Sequence, residues 1–164
     1  MKHILSTLVL NKPGVLAHVA GMFAARAFNI DSLAVGRTDD PTLSRMTIVI
    51  VGDDKVVEQV RKQLVKIVEV VKVQDFAGLD TVARDLMLIS VACTPEKRPE
   101  ILSLIEMFGG KVVDIGPKFV MVEVAGPENK IEAFIDLCRP YGVKSIVRTG
   151  TVAMARQART KTEE

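Results

Sequence analysis

One order of apolar periodicities is written twice along these 164 residues, and that repetition limits the fold more than any single motif does. In the first half, Ile4-Leu5-Ser6-Thr7-Leu8-Val9-Leu10 reads as a strand. Val15, Leu16, Val19, Met22, Phe23 and Ala27 then recur at helical spacing, which predicts a helix to about Phe28. Residues 29–36 and 43–51 read as two more strands around the turn Thr38-Asp39-Asp40-Pro41. Asp53 suits the cap of a second helix with Val56, Val57, Val60 and Leu64 on one face and Glu58, Arg61, Lys62 and Lys66 in solvent. Residues 68–74 close the unit as a fourth strand, giving the β-α-β-β-α-β order of the ferredoxin-like plan.

The second half follows the same course. Residues 86–93 read as a strand, a helix opens at Thr94-Pro95-Glu96 and ends at Gly109-Gly110, and a hairpin folds over Gly116-Pro117. Gly126-Pro127 leads into a helix through Cys138, and residues 143–148 form the last strand. Pro13 and Pro95 stand 82 apart, Asp31 and Asp114 83, but Gly52 and Gly126 only 74. A duplicated unit with a shortened second hairpin accounts for these spacings. The expected fold class is α+β, with two ferredoxin-like βαββαβ domains over residues 1–77 and 78–158 and a mobile tail at 159–164.

Composition sets the chemistry of the core and excludes several classes. The chain is 48% hydrophobic, with no Trp, one Tyr and six Phe, so its core must be built from Val, Ile, Leu and Met. A net charge of +2 is too small to imply nucleic acid or an anionic membrane. With no charged-then-apolar leader and no apolar run near 18 residues, the expected setting is the cytoplasm, without membrane contact. Cys93 and Cys138 each stand alone in apolar runs and read as reduced core residues.

A search for catalysis finds no constellation. His3 and His18 have no Ser, Cys or Asp in triad-like context, and a structural or surface role is expected for both. The chain has no phosphate-cradling glycine run, no dinucleotide fingerprint and no Cys/His cluster, so no metal site is expected. The aspartates at 39–40 and 53–54 serve turns and caps. RNA-binding domains of the same strand order stack bases on aromatics of their central strands, and these strands carry none. RNA recognition is therefore a minor alternative.

What remains is binding of a small molecule. In Asn11-Lys12-Pro13-Gly14-Val15-Leu16, Pro13 suits the first helical turn, and Gly14 removes a side chain where free backbone N–H groups point outward. Such a helix start can take an anion such as a carboxylate. The amides of Asn11 and Asn29 can take an ammonium or a carboxylate. On the residues alone, a plain strand-to-helix turn and two helix-punctuating asparagines explain the same stretch.

Three strings add a resemblance. Residues 11–16, Asn29-Ile30-Asp31-Ser32-Leu33 and, most specifically, Thr38-Asp39-Asp40-Pro41-Thr42-Leu43-Ser44-Arg45-Met46-Thr47 resemble the regulatory small subunit of acetolactate synthase (acetohydroxyacid synthase). The likeness runs from Ile4 to about Ala155. It implies two ACT-type domains, the first forming a homodimer by pairing with its copy in a second subunit. It implies that valine or a related branched-chain amino acid binds between the copies, with Asn11, Gly14, Val15 and Leu16 from one and Asn29 and Ile30 from the other. It further implies docking on a large catalytic subunit, which alone carries thiamine diphosphate, FAD and magnesium. That docking would raise the partner's activity and confer feedback inhibition. The alternative is a free-standing ACT-type amino-acid sensor of another enzyme or of transcription.

Overall fold

Alternating side chains of β1 (Lys2–Leu10) decide where the first sheet sits. The computed structural model describes residues 1–157. In it β1 lies in the interior of a four-stranded antiparallel sheet, between β3 (Leu43–Val51) and β4 (Val70–Asp75), with β2 (Ile30–Arg37) outside β3. Leu5 and Val9 of β1 pack with Met46, Ile48 and Ile50 of β3 beneath two helices, α1 (Val15–Ala24) and α2 (Asp54–Leu64). α1 brings Val15, Val19, Met22 and Phe23 to that layer, and α2 brings Val57, Val60 and Leu64. Each such side chain contributes about 1.5–3 kcal/mol when fully buried. Asp53 caps α2 as expected, its carboxylate accepting the Val56 N–H at 2.9 Å.

α1 stops four residues before the expected Phe28, and its ending explains why. The Phe28 N–H donates to the Phe23 carbonyl at 3.0 Å and the Ala27 N–H to that of Ala24 at 3.1 Å, while the Phe28 ring meets Phe23 edge-on at 6.3 Å. This is a Schellman closure with its hydrophobic contact, and it puts Ala27 in the left-handed region at φ 54°. Ala27 is thus an exposed turn residue and not part of the buried stripe; Leu16 is exposed as well. Asn29 lies beyond the turn and does not end the helix. At the other end, α1 begins at Val15, so Pro13 precedes the helix and is not in its first turn.

The second unit repeats this architecture with β5 (Thr81–Ala92), α3 (Arg98–Met107), β6 (Lys111–Gly116), β7 (Phe119–Gly126), α4 (Glu128–Cys138) and β8 (Val143–Arg148). Its strand order is β6-β7-β5-β8, with the short β9 (Val152–Ala155) paired to β5. α3 starts later than expected. Residues 95–97 form a turn in which the Lys97 N–H donates to Thr94, and Pro99, not Pro95, occupies the first helical turn. Cys93 and Cys138 are free and buried in this core, and burial pushes the Cys138 thiol up to about 11. The nearly inaccessible Asp85 carboxylate accepts Arg148 Nε–H at 2.7 Å, and Arg148 also pairs with Glu132.

The compact units are Met1–Val82 with the stretch from Val152 on, and Ala83–Thr151. The expected cut at 77/78 lies five residues before this division and keeps residues 152–157 with the second domain. Arg156 accounts for part of their place in the first unit: its N–H donates to the Asp80 carbonyl at 2.8 Å and its guanidinium reaches the Asp80 carboxylate at 3.2 Å. The expected mobile tail at 159–164 lies outside the described residues.

Duplication extends to irregularities. The bulge after Leu8 of β1 recurs after Ser90 of β5, and the bulge at Asp31 recurs at Val113, each 82 residues on. Asp31 thus matches Val113 and not Asp114. α3 closes as α1 does, with Gly110 N–H donating to Ile105 at 2.8 Å, Gly109 N–H to Glu106 at 2.9 Å, and Gly109 at φ 61° in the place of Ala27.

The two left-handed positions therefore carry opposite choices, which gives a paired test. Gly109→Ala, whose methyl meets no atom within 4 Å, is expected to cost about 1 kcal/mol from backbone conformation alone. Ala27→Gly is expected to stabilise by about 0.5–1 kcal/mol. Urea denaturation midpoints of the two variants should move in opposite directions.

Candidate effector site

β1 ends at Leu10 on the sheet, and the chain must climb to the helix layer within four residues. Gly14 makes that corner, at φ 87° and ψ −15°, a conformation that L side chains rarely adopt. The carbonyl of Gly14 accepts the His18 N–H at 3.0 Å as the helix begins. The N–H groups ahead of His18 have no carbonyl a turn earlier to bond. No side chain caps this start, and no acidic residue lies in the first turn. A Cβ built on Gly14 would meet nothing within 4 Å, so the corner opens outward.

The six expected site residues divide into two groups. Val15 is 3% exposed and belongs to the core, so its N–H is what it can offer. Leu16, at 47%, presents an aliphatic side chain at the corner. Asn11 is exposed, but its amide is engaged: Nδ2 donates to the Pro41 carbonyl at 3.0 Å, and its backbone N–H donates to Thr42 at 2.7 Å. Asn29 and Ile30 lie elsewhere. Ile30 pairs with Ile50, which pairs with His3, seven residues from Leu10 along β1. At about 3.3 Å per residue the two groups stand about 23 Å apart along the strands. A single chain does not bring them together.

Sequence reasoning gave Asp40 its turn role but missed its partner Thr42 and the part played by Glu69 in holding the corner. On one flank, the Asp40 carboxylate accepts the Thr42 N–H at 2.8 Å and the Thr42 hydroxyl at 2.6 Å, which keep its carboxyl below the usual range. The spacing Asp-x-Thr at a turn was the available signal. On the other flank, the Glu69 carbonyl accepts the Leu10 N–H at 2.9 Å and its carboxylate lies 3.4 Å from His18 Nδ1. Its own backbone N–H, then His18, hold the Glu69 carboxyl low. His3 is buried and neither of its ring nitrogens is hydrogen-bonded; Nε2 lies 3.9 Å from the exposed Asp54 carboxylate.

The second unit serves as an internal control. Glu96 stands 82 residues after Gly14 and is not among the residues of positive φ. Its carboxyl is held below the usual range first by its own backbone N–H and then by the Thr94 hydroxyl. The plan is therefore built once with a left-handed glycine at the corner and once without any residue of positive φ there. Topology alone does not demand φ 87° at Gly14.

Comparison with known proteins gives a consistent set of likenesses. The family model described as "AHAS small subunit-like ACT domain" matches residues 5–72, and that described as "Small subunit of acetolactate synthase" matches residues 84–157. A probable acetolactate synthase small subunit of Archaeoglobus fulgidus is 54% identical over 156 residues, covering 95% of this chain and 98% of that protein. The acetolactate synthase small subunit of Bacillus subtilis is 44% identical over 162 residues, covering 98% and 94%. The crystal structure of the acetolactate synthase small subunit from Thermotoga maritima superposes with a TM-score of 0.89 at 45% identity, covering 96% of this chain and 98% of that one.

Because the space around Gly14 is open, Gly14→Ala is expected to cost about 1–2 kcal/mol through conformation and not through collision. Chemical denaturation of the full chain measures this. A loss well above that range would mean that the methyl meets a neighbour.

Proposed function

This chain belongs to the family of acetolactate synthase small subunits, and from that membership we propose that it regulates a thiamine-diphosphate-dependent catalytic subunit in the cytoplasm, raising its activity and making it sensitive to valine. The thiamine diphosphate, FAD and magnesium of the reaction are assigned to that partner; this chain has no phosphate-cradling glycine run. Its own part is to bind the effector and pass on the binding energy.

The observation that carries this reading is the open left-handed corner at Gly14, present in the first unit and absent from the second. The effector's carboxylate lies on the N–H groups of Gly14, Val15 and Leu16, and its isopropyl group on Leu16 and neighbouring aliphatic surface. The separation of Asn29 and Ile30 from this corner supports a site shared by two copies. β2 is an edge strand of its sheet. Two β2 strands paired antiparallel about a two-fold between Leu33 and Ala34 would set Ile30 of one copy opposite Arg37 of the other. In that register the second copy's Asn29 and Ile30 would lie beside the 38–42 turn, to which Asn11 is bonded.

The energetics suit a sensor. Burying an isopropyl group contributes about 1.5–3 kcal/mol, and each charge-assisted hydrogen bond about 1.5–3 kcal/mol. Less the cost of association, on the order of 5.5 kcal/mol remains, about 0.1 mM in affinity. One methylene changes this by only about 1–3 kcal/mol, so leucine and isoleucine are expected to compete. A ligand bound more tightly by one arrangement of the pair shifts the population toward it, which is how binding here reaches a distant catalytic centre.

Gly14→Asp is expected to abolish valine binding while keeping the fold, since aspartate tolerates the left-handed region and would set its own carboxylate in the ligand's place. Calorimetry decides this, and unchanged valine affinity would remove Gly14 from the site. Separately, the purified chain is expected to make no acetolactate from pyruvate, to raise turnover when added to the catalytic subunit, and to lose that effect with valine. Turnover by the chain alone would defeat the regulatory reading.

A further inference from the structure

We infer that Asp40 is a positioning residue for the effector corner: by fixing the tip of the β2–β3 hairpin, it turns the Asn11 amide so that its oxygen is offered to the ligand's ammonium group. This rests on the effector reading above and adds the polarity of one contact and the residue that sets it.

A carbonyl oxygen can only accept, so the atom of the Asn11 amide facing the Pro41 carbonyl at 3.0 Å must be the nitrogen. This bond turns the NH2 group toward Pro41 and leaves the amide oxygen, which has no bond to the described residues, as the atom offered to a ligand. An acceptor is the complement of an ammonium, just as the N–H groups at Gly14 are the complement of a carboxylate. The two ends of a free amino acid thus find opposite partners three residues apart in sequence.

The Pro41 carbonyl is itself held in place. The Asp40 carboxylate accepts the Thr42 N–H at 2.8 Å and the Thr42 hydroxyl at 2.6 Å, closing the turn around Pro41. The Asp40 carbonyl accepts the Leu43 N–H at 3.0 Å and the Thr38 hydroxyl at 2.9 Å, and the Thr38 N–H donates to Leu43. Every link from Asp40 to Asn11 is a hydrogen bond of the same hairpin or of the strand end that docks on it.

The second unit separates what the fold needs from what the site needs. There Cys93 takes the place of Asn11, and its backbone N–H donates to Lys118 at 3.0 Å, the counterpart of the Asn11-to-Thr42 bond. The strand end therefore docks on the hairpin in both units. The side-chain bond has no counterpart, because Cys93 lacks an amide and the second hairpin turns tightly at Pro117-Lys118. The longer, aspartate-closed turn of the first unit goes with the amide, not with the plan.

Calorimetric titration of valine into the full chain tests this with Asp40→Ala, Asp40→Asn, Asn11→Ala and the Asp40→Ala/Asn11→Ala double variant. Asp40→Ala is expected to weaken binding about tenfold, the scale of one hydrogen bond to a charged group. Asp40→Asn keeps an oxygen for both Thr42 bonds and is expected to stay within about twofold of wild type on the same scale. Adding Asp40→Ala to Asn11→Ala is expected to change nothing further. Should Asp40→Ala not fold, Thr42→Val deletes only the hydroxyl bond and must weaken binding in the same direction. Wild-type affinity in Asp40→Ala, or an equal loss with Asn11 already removed, would overturn the positioning role. A wild-type chain that takes up no valine would overturn the effector reading with it, so the two failures are told apart.

Discussion

The first unit is organised by β1, a strand hydrogen-bonded along both sides and committed on alternate residues to the layer beneath two helices. A strand so placed cannot drift: a slip of one residue would turn Leu5 and Val9 away from the helices. Its last residue is fixed twice over, by Leu43 across the ladder and by the Glu69 carbonyl. The chain leaving it has four residues in which to reach the helix layer, about 10 Å away. A tight reversal is the consequence, and the backbone of that reversal faces outward.

What sets this reversal apart is visible from the second unit. The same climb is made there with no residue in the left-handed region between β5 and α3. In the first unit, glycine leaves the helix start bare, with no capping side chain and no acid in its first turn. Uncompensated N–H groups at a helix end carry partial positive charge and favour an anion. Strained or sparsely populated backbone persists where its surroundings impose it, and such positions gather at binding sites. The two units differ in the backbone of this corner, while sharing the bond by which the strand end docks on its hairpin.

Membership in the small-subunit family gives the corner a biological setting, and its placement gives a mechanism. In the reading we propose, residues at opposite ends of one sheet become neighbours when a second copy's sheet edge is laid against the first in antiparallel sense. A ligand held across such a seam would sense the relative position of two protomers. Small displacements there are worth as much free energy as the ligand's differential contacts supply, and no more. A few kcal/mol of binding energy suffices for a graded response to a metabolite pool.

The periodicity of β1, β3 and α2 was legible residue by residue, because apolar alternation and helical spacing report directly on which face is buried. The duplication was legible for the same reason, as was the glycine at 14, whose position between a strand and a helix leaves few conformations open. Other features were decided only in three dimensions. α1 ends where Phe28 folds back on Phe23, a contact that spacing counts as two more helical positions. The stretch from Val152 returns to the first unit through Arg156 and Asp80, partners 76 residues apart that no local pattern joins. The orientation of the Asn11 amide is set by a carbonyl thirty residues on. Local propensity fixes which elements form, and the bonds between distant segments, absent from any window of sequence, fix which atoms those elements leave facing outward.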